Sequence, residues 1–200
     1  MGLAPDINEM LARARADLRM GVPIVLSGTV SIVAVAAESL SDARLSDVLK
    51  LDGTPVLALT GRRAQTLKAH VYDGNIARIL VPPDATLNWL RALSDPADDL
   101  ATPMKGPLRS KRDGNADAHR AAVHLCKSAR LLPAALCVEV NSGITFAAEN
   151  GLTCIPLMLA QPLLAERSTL HPVVQARLPI VSSESGRLHV YRPKDGGEEH

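Results

Sequence analysis

From Gly21 to Ala37 the chain carries no Asp, Glu or His. The stretch reads as two β runs, Pro23–Leu26 and Val30–Ala36, broken by Ser27-Gly28-Thr29. A strand that is apolar without alternation needs cover on both faces, so helices must flank the sheet on either side. Similar short runs recur at Pro55–Thr60, Ile76–Val81, Ala134–Val140 and Thr153–Pro156. Helical segments separate them. Asp6 caps a helix over Ile7–Met20 that Gly21 closes, with Ile7, Met10, Leu11, Ala14 and Leu18 on one face. Ser41 caps a short helix to Lys50, and another covers Arg62–Lys68. Pro82-Pro83-Asp84 stops a strand and caps a helix to Leu93. Asn115 or Asp117 opens a long helix to about Leu131, ended by Pro133. Ile144–Asn150 and Leu157–Ala165 complete the set, and Ser94–Gly114 reads as loop. Strands alternating with helices predict an α/β fold, a mixed sheet with helices.

The core of such a domain must be aliphatic, because aromatics make up 2% of a chain that is 46% hydrophobic. The same scarcity removes the stacking platforms of single-strand binders, and a formal charge of +1 gives no footprint for nucleic acid or a membrane surface. No apolar run approaches the ~20 residues of a membrane span. Three cysteines without dense spacing predict reduced thiols and a cytoplasmic protein. The tail has a different character. Val173–Val181 and Arg187–Arg192 alternate around a Ser182–Gly186 turn, which predicts a C-terminal β-hairpin with no helix after it.

Several segments resemble dihydroxybutanone phosphate synthase in the family's own order. ADLRMGVPIVLSG with Ala36-Ala37-Glu38 resembles its first helix and strand pair. ALSDPADDLATPMKGPLRS resembles the segment before its Pro-Leu-Arg turn, and LLPAALCVEV resembles the strand after its late helix. The tail RLPIVSSESGRLHVYRPKDGGEEH is similar to the opening strands of GTP cyclohydrolase II. The resemblance implies two parts. Residues 1–170 form a degenerate dihydroxybutanone-phosphate-synthase-like domain, and residues 171–200 form a linker and the first β-hairpin of a truncated following domain.

The synthase chemistry enolises ribulose 5-phosphate and expels formate, which needs acid–base groups and a hard cation on carboxylate oxygens. The family carries those carboxylates in an acidic loop after the first strand, and here Ser27-Gly28-Thr29 stands in its place. Its Thr-rich glycine loop is also absent, since Ile79–Val81 runs through Pro82-Pro83 into the next helix. Counting back from Pro133, the family's Gly-His-Thr-Glu falls on Asp117, Ala118, His119 and Arg120, with the histidine displaced by one residue. One helical position is a rotation of about 100°. Glu139 matches the family's glutamate after cysteine, so His119 and Glu139 are expected to be vestiges of a site.

No Cys-x-Cys is present, and Cys126, Cys137 and Cys154 are expected to be inert core residues, so no metal site is expected. Zinc is expected only in a cyclohydrolase part, and magnesium only if the domain is an active synthase. Lys105, Arg109, Lys111 and Arg112 form the one basic cluster, a candidate phosphate site or a solvated loop. The expected role is a non-catalytic structural, dimerising or regulatory front domain of a GTP cyclohydrolase II in riboflavin biosynthesis. The alternative is a working lyase. Expected partners are a second copy and the cyclohydrolase domain, with no nucleic acid and no membrane. Leu152–Ala165, which has no charged residue, is the expected self-contact.

Overall fold

Ala134–Val140 (β5) lies inside the sheet, paired antiparallel on both edges. Ser31–Ala36 (β2) runs along one side, from Ser31 opposite Val140 to Ala36 opposite Ala135. Val56–Thr60 (β3) runs along the other, with Leu57 opposite Leu136. Beyond them lie Ile24–Ser27 (β1) next to β2 and Ile76–Leu80 (β4) next to β3. Cys154–Pro156 (β6) joins β1 in parallel, which makes the sheet mixed, in the order β4-β3-β5-β2-β1-β6. The computed structural model describes residues 3–97, 99–165 and 170–193.

Both faces are covered, as unalternating strands require. On one face Ala135 and Cys137 of β5 meet residues of Ile7–Arg19 (α1), Asp117–Ser128 (α5) and Leu157–Ala165 (α7). On the other, Ala134, Leu136 and Val138 meet residues of Asp42–Leu49 (α2), Gly61–Thr66 (α3) and Leu87–Ser94 (α4). Gly143–Asn150 (α6) packs Ala147 against Val25 and Val33. The strands are rich in Ala, and small side chains let helices approach the sheet closely in a core with almost no aromatic rings.

Local chemistry explains the helix bounds. Asp6 and Glu9 form a capping box, each side chain accepting the other's backbone N–H at 2.8 Å. α4 is capped by Thr86 and not by Asp84, because Pro82–Ala85 closes a turn first, with Ala85 N donating to Pro82 O. α5 stops at Ser128, short of Leu131. Arg130 turns left-handed at φ 62, and Leu131 N donates to Cys126 O to close the end. The expected loop over 94–114 has structure of its own. Leu80 N donates to Arg109 O and Lys111 N to Arg78 O, so residues 109–111 run along the edge of β4. Arg63 donates to the carbonyls of Ala92, Leu93 and Asp95 and to both carboxylate oxygens of Asp99. Hydrogen bonds from Arg63 and Lys105 hold the Asp99 carboxyl well below the usual carboxylate range.

The tail forms a separate two-stranded sheet of Leu170–Arg177 (β7) and Arg187–Pro193 (β8). β7 starts earlier than Val173 and ends at Arg177, because Leu178 pairs with Gly186 and an Ile180–Ser183 bridge tightens the turn. Every residue of β7 is exposed. The Gly-Gly-Glu-Glu-His at 196–200 lies outside the described residues. A lone hairpin is marginal in water. Amides of β7 and β8 are therefore expected to exchange within the first time points of a native-state hydrogen-exchange series, while Ala121–Val140 stays protected. Protection of Arg187–Arg192 equal to that of β5 would show the hairpin to be firmly held.

Candidate functional site

The strand Ile76–Leu80 holds one charge in an otherwise apolar run. Arg78 is fully buried, at 0% exposure. Its Nε and Nη2 donate to the two carboxylate oxygens of Asp73 at 2.8 and 2.9 Å, and Nη2 also reaches Gly114 O at 3.4 Å. Nη1 has no hydrogen-bond partner. Arg120, in the first turn of α5, donates to Asn75 Oδ1, to Asp73 O and to Asp117 Oδ1, and so ties the 73–75 turn to that helix. At the end of β5, Lys111 Nζ donates to Glu139 Oε1 at 2.6 Å.

His119 is 1% exposed, and its Nδ1 is unpartnered. Burial pushes its pKa down from 6.5 to about 4, and the Arg78 and Lys111 cations push the same way against the Glu139 and Asp73 carboxylates. The imidazole is thus neutral near pH 7. The two expected vestiges therefore share one electrostatic neighbourhood, but His119 is in the core while Glu139 opens on solvent.

Glu139 lines a cleft of about 760 Å³ between the turns at 28–31 and 51–53, the end of β5, and Phe146. Gly53 lies so close to the Glu139 carbonyl oxygen that no side chain fits there. The cleft wall between β1 and β2 is the three residues 28–30, none of them acidic. Asp52 is the other carboxylate at the cleft, and it is exposed.

The four basic residues do not converge. Lys105 pairs with Asp99, Lys111 with Glu139, and the Arg112 guanidinium sits 4.9 Å from the Tyr72 ring centroid. Arg109 is exposed beside Lys105 in a second groove that includes Trp89. Cys126 and Cys137 are fully buried, and burial pushes the Cys126 thiol up to about 12 and Cys137 well above its ordinary value. Among the described residues no three His, Cys, Asp or Glu side chains are grouped to hold a metal ion. No helix among them is long and apolar enough to cross a membrane.

Sequence reasoning missed Arg78, Asp73 and Arg120. The available signal was Arg78 itself, a charge inside a run that reads as a buried strand. The counted positions Asp117, Ala118, His119 and Arg120 form the first turn of α5, and the imidazole among them is buried.

No family model matches the chain. A curated GTP cyclohydrolase-2 from Azospirillum brasilense is 32% identical, over 94% of this chain and 51% of its own length. The chain therefore spans about half the length of the curated relative it matches. Among solved structures, a two-domain 3,4-dihydroxy-2-butanone 4-phosphate synthase from A. baumannii superposes with a TM-score of 0.57 at 15% identity, over 92% of this chain and 66% of that one. A synthase in complex with two magnesium ions superposes at 0.56 and 18% identity, over 77% of this chain and 95% of its own. The six-stranded domain has the fold of that synthase. The residues present do not fit magnesium. Such an ion is held by one or two carboxylates with the rest of its octahedron filled by water, whereas the 28–30 turn offers no carboxylate, Lys111 occupies Glu139 Oε1, and the cleft's other carboxylate, Asp52, is exposed on a separate turn.

The buried imidazole makes a pH prediction. The unfolded chain takes up a proton at His119 near pH 6.5, and the folded chain does so only near pH 4. Stability from this group is complete above pH 6.5 and is lost as pH falls from 6.5 to 4, by up to about 3 kcal/mol. Urea unfolding across that window is expected to show this loss, and His119→Gln is expected to flatten it. Equal slopes for the two proteins would mean that His119 titrates normally.

Proposed function

We propose that this chain is the front α/β domain of a GTP cyclohydrolase-2-type protein of riboflavin biosynthesis, and that it supports, dimerises or regulates that protein without acting as a lyase. The observation that carries this reading is the tight β1–β2 connection. Where lyase chemistry needs a carboxylate-bearing loop, Leu26 is already paired with Ile32 across a turn of residues 28–30. The two residues expected as vestiges of a site are each diverted. Glu139 is bonded to Lys111, and His119 has no access to solvent from which to relay a proton.

The likeness to the Azospirillum protein, which extends across most of this chain but about half of that one, supports a place in a longer cyclohydrolase polypeptide. The two-domain synthase covers 92% of this chain against 77% for the magnesium-bound synthase, which supports a domain boundary near residue 170 and a hairpin that belongs to a second domain. In this reading zinc belongs to the cyclohydrolase part, and neither nucleic acid nor a membrane is a partner. The protein works in the cytoplasm. The basic loop of Lys105, Arg109, Lys111 and Arg112 is structural, since three of the four already have partners within the fold.

The lyase reading is tested with ribulose 5-phosphate and magnesium. The chain is expected to release no formate above a heat-killed control. Formate release that Glu139→Gln abolishes would establish an active synthase and sink the proposal.

Self-association is tested separately. α7 shows solvent Met158 at 84% and Leu159 at 58% exposure, apolar area that suits a second copy of the domain. Light scattering at tens of micromolar is expected to give the mass of a dimer, and Met158→Glu is expected to shift it toward the monomer. A monomeric wild-type chain would remove dimerisation from the proposed role.

A further inference from the structure

We infer that Lys111 is a built-in counter-cation for Glu139, one that balances the charge of this cleft without a divalent ion and keeps such an ion out. The backbone delivers the ammonium to a fixed place. Residues 109–111 lie along the edge of β4, held by Leu80 N to Arg109 O and Lys111 N to Arg78 O, each 2.8 Å. From that edge the Lys111 side chain, 15% exposed, reaches Glu139 Oε1 at 2.6 Å. A flexible lysine stem is seldom held in this way unless its far end has a partner, because ordering it costs rotamer entropy.

The same ammonium opposes a metal. A magnesium ion binds carboxylate oxygen at about 2.0–2.1 Å. On Glu139 Oε1 it would face Nζ across a few ångströms, a like-charge contact that is strongly unfavourable at the effective dielectric of a protein surface. The surrounding field points the same way. Arg78 is buried beneath the start of α5, and Arg78 and Lys111 together help keep His119 neutral. The carboxylates facing this neighbourhood are Asp73, bonded through both oxygens to Arg78, and Glu139 itself. Asp52, the cleft's other carboxylate, is exposed on the 51–53 turn, so Glu139 is the carboxylate that Lys111 neutralises.

The test uses the full chain and manganese(II) as the probe, with binding read from the loss of the free ion's paramagnetic resonance signal and stability from thermal melts. The wild type is expected to bind no manganese at millimolar concentration, and its melting midpoint is expected to be the same in manganese and in EDTA. Lys111→Met strands the Glu139 carboxylate, so its midpoint is expected to fall by about 2–4 °C. Glu139→Gln and the double variant Lys111→Met/Glu139→Gln are expected to melt together, because once the carboxylate is neutral the ammonium has nothing to balance. If Lys111→Met does not fold, comparison of the latter two variants decides the matter. Manganese bound by the wild type and lost in Glu139→Gln would overturn the inference, as would a double variant that melts well below Glu139→Gln. Formate assays do not enter, so a chain that binds manganese yet lacks lyase activity would refute this inference and leave the proposed role intact.

Discussion

β5 is satisfied in four directions, with a strand on each edge and helices over each face. Its seven residues can neither slip nor tilt without breaking two ladders and exposing two layers of core, because a shift of one residue turns every side chain to the wrong face. β2 and β3 inherit their register from it, β1 and β4 from them, and β6 is added where β1 still has an open edge. The candidate cleft lies at the end of this fixed strand, so Glu139 is placed by the register and not by a loop.

A core built from Ala, Val, Leu and Ile constrains the rest. The Ala-rich middle of the sheet lets α5 lie close, and that closeness removes His119 from water and leaves Arg78 fully enclosed. Enclosing a guanidinium is costly without a partner. Asp73 supplies one bidentately, and Arg120 holds the 73–75 turn that carries Asp73. The network therefore fixes the first turn of α5 to the β4 edge, and the same edge presents Lys111 to Glu139. One set of contacts is at once the packing of a helix onto a sheet and the electrostatics of a cleft.

The fold shared with a synthase that was solved in complex with magnesium rests on apolar pairing. The apolar pairing that makes the domain, Leu26 against Ile32 and Val56 against Cys137, does not depend on carboxylates. The β1–β2 connection of residues 28–30 is short and carries no carboxylate. The stability of the domain and the chemistry of the cleft draw on different residues.

The sequence by itself determined the strand and helix order, because local periodicity, the Asp6 and Ser41 caps and the unalternating apolar runs are short-range signals. It also determined that the β1–β2 hairpin carries no carboxylate, since the lack of any acidic residue from Gly21 to Ala37 needs no structure to be seen. It misplaced the cap of α4, the end of α5 and the limits of the hairpin, where a turn or a left-handed residue displaced the expected boundary by a few positions. What only the tertiary structure decided is who pairs with whom. Lys111 and Glu139 are 28 residues apart and Arg63 and Asp99 are 36 apart, and no periodicity links such positions. Nothing local to His119, expected as a vestige of a site, or to Arg78 shows how completely each is enclosed. Both are buried because a sheet and a helix meet over them, and burial is a property of the assembled layers that no local stretch of chain contains.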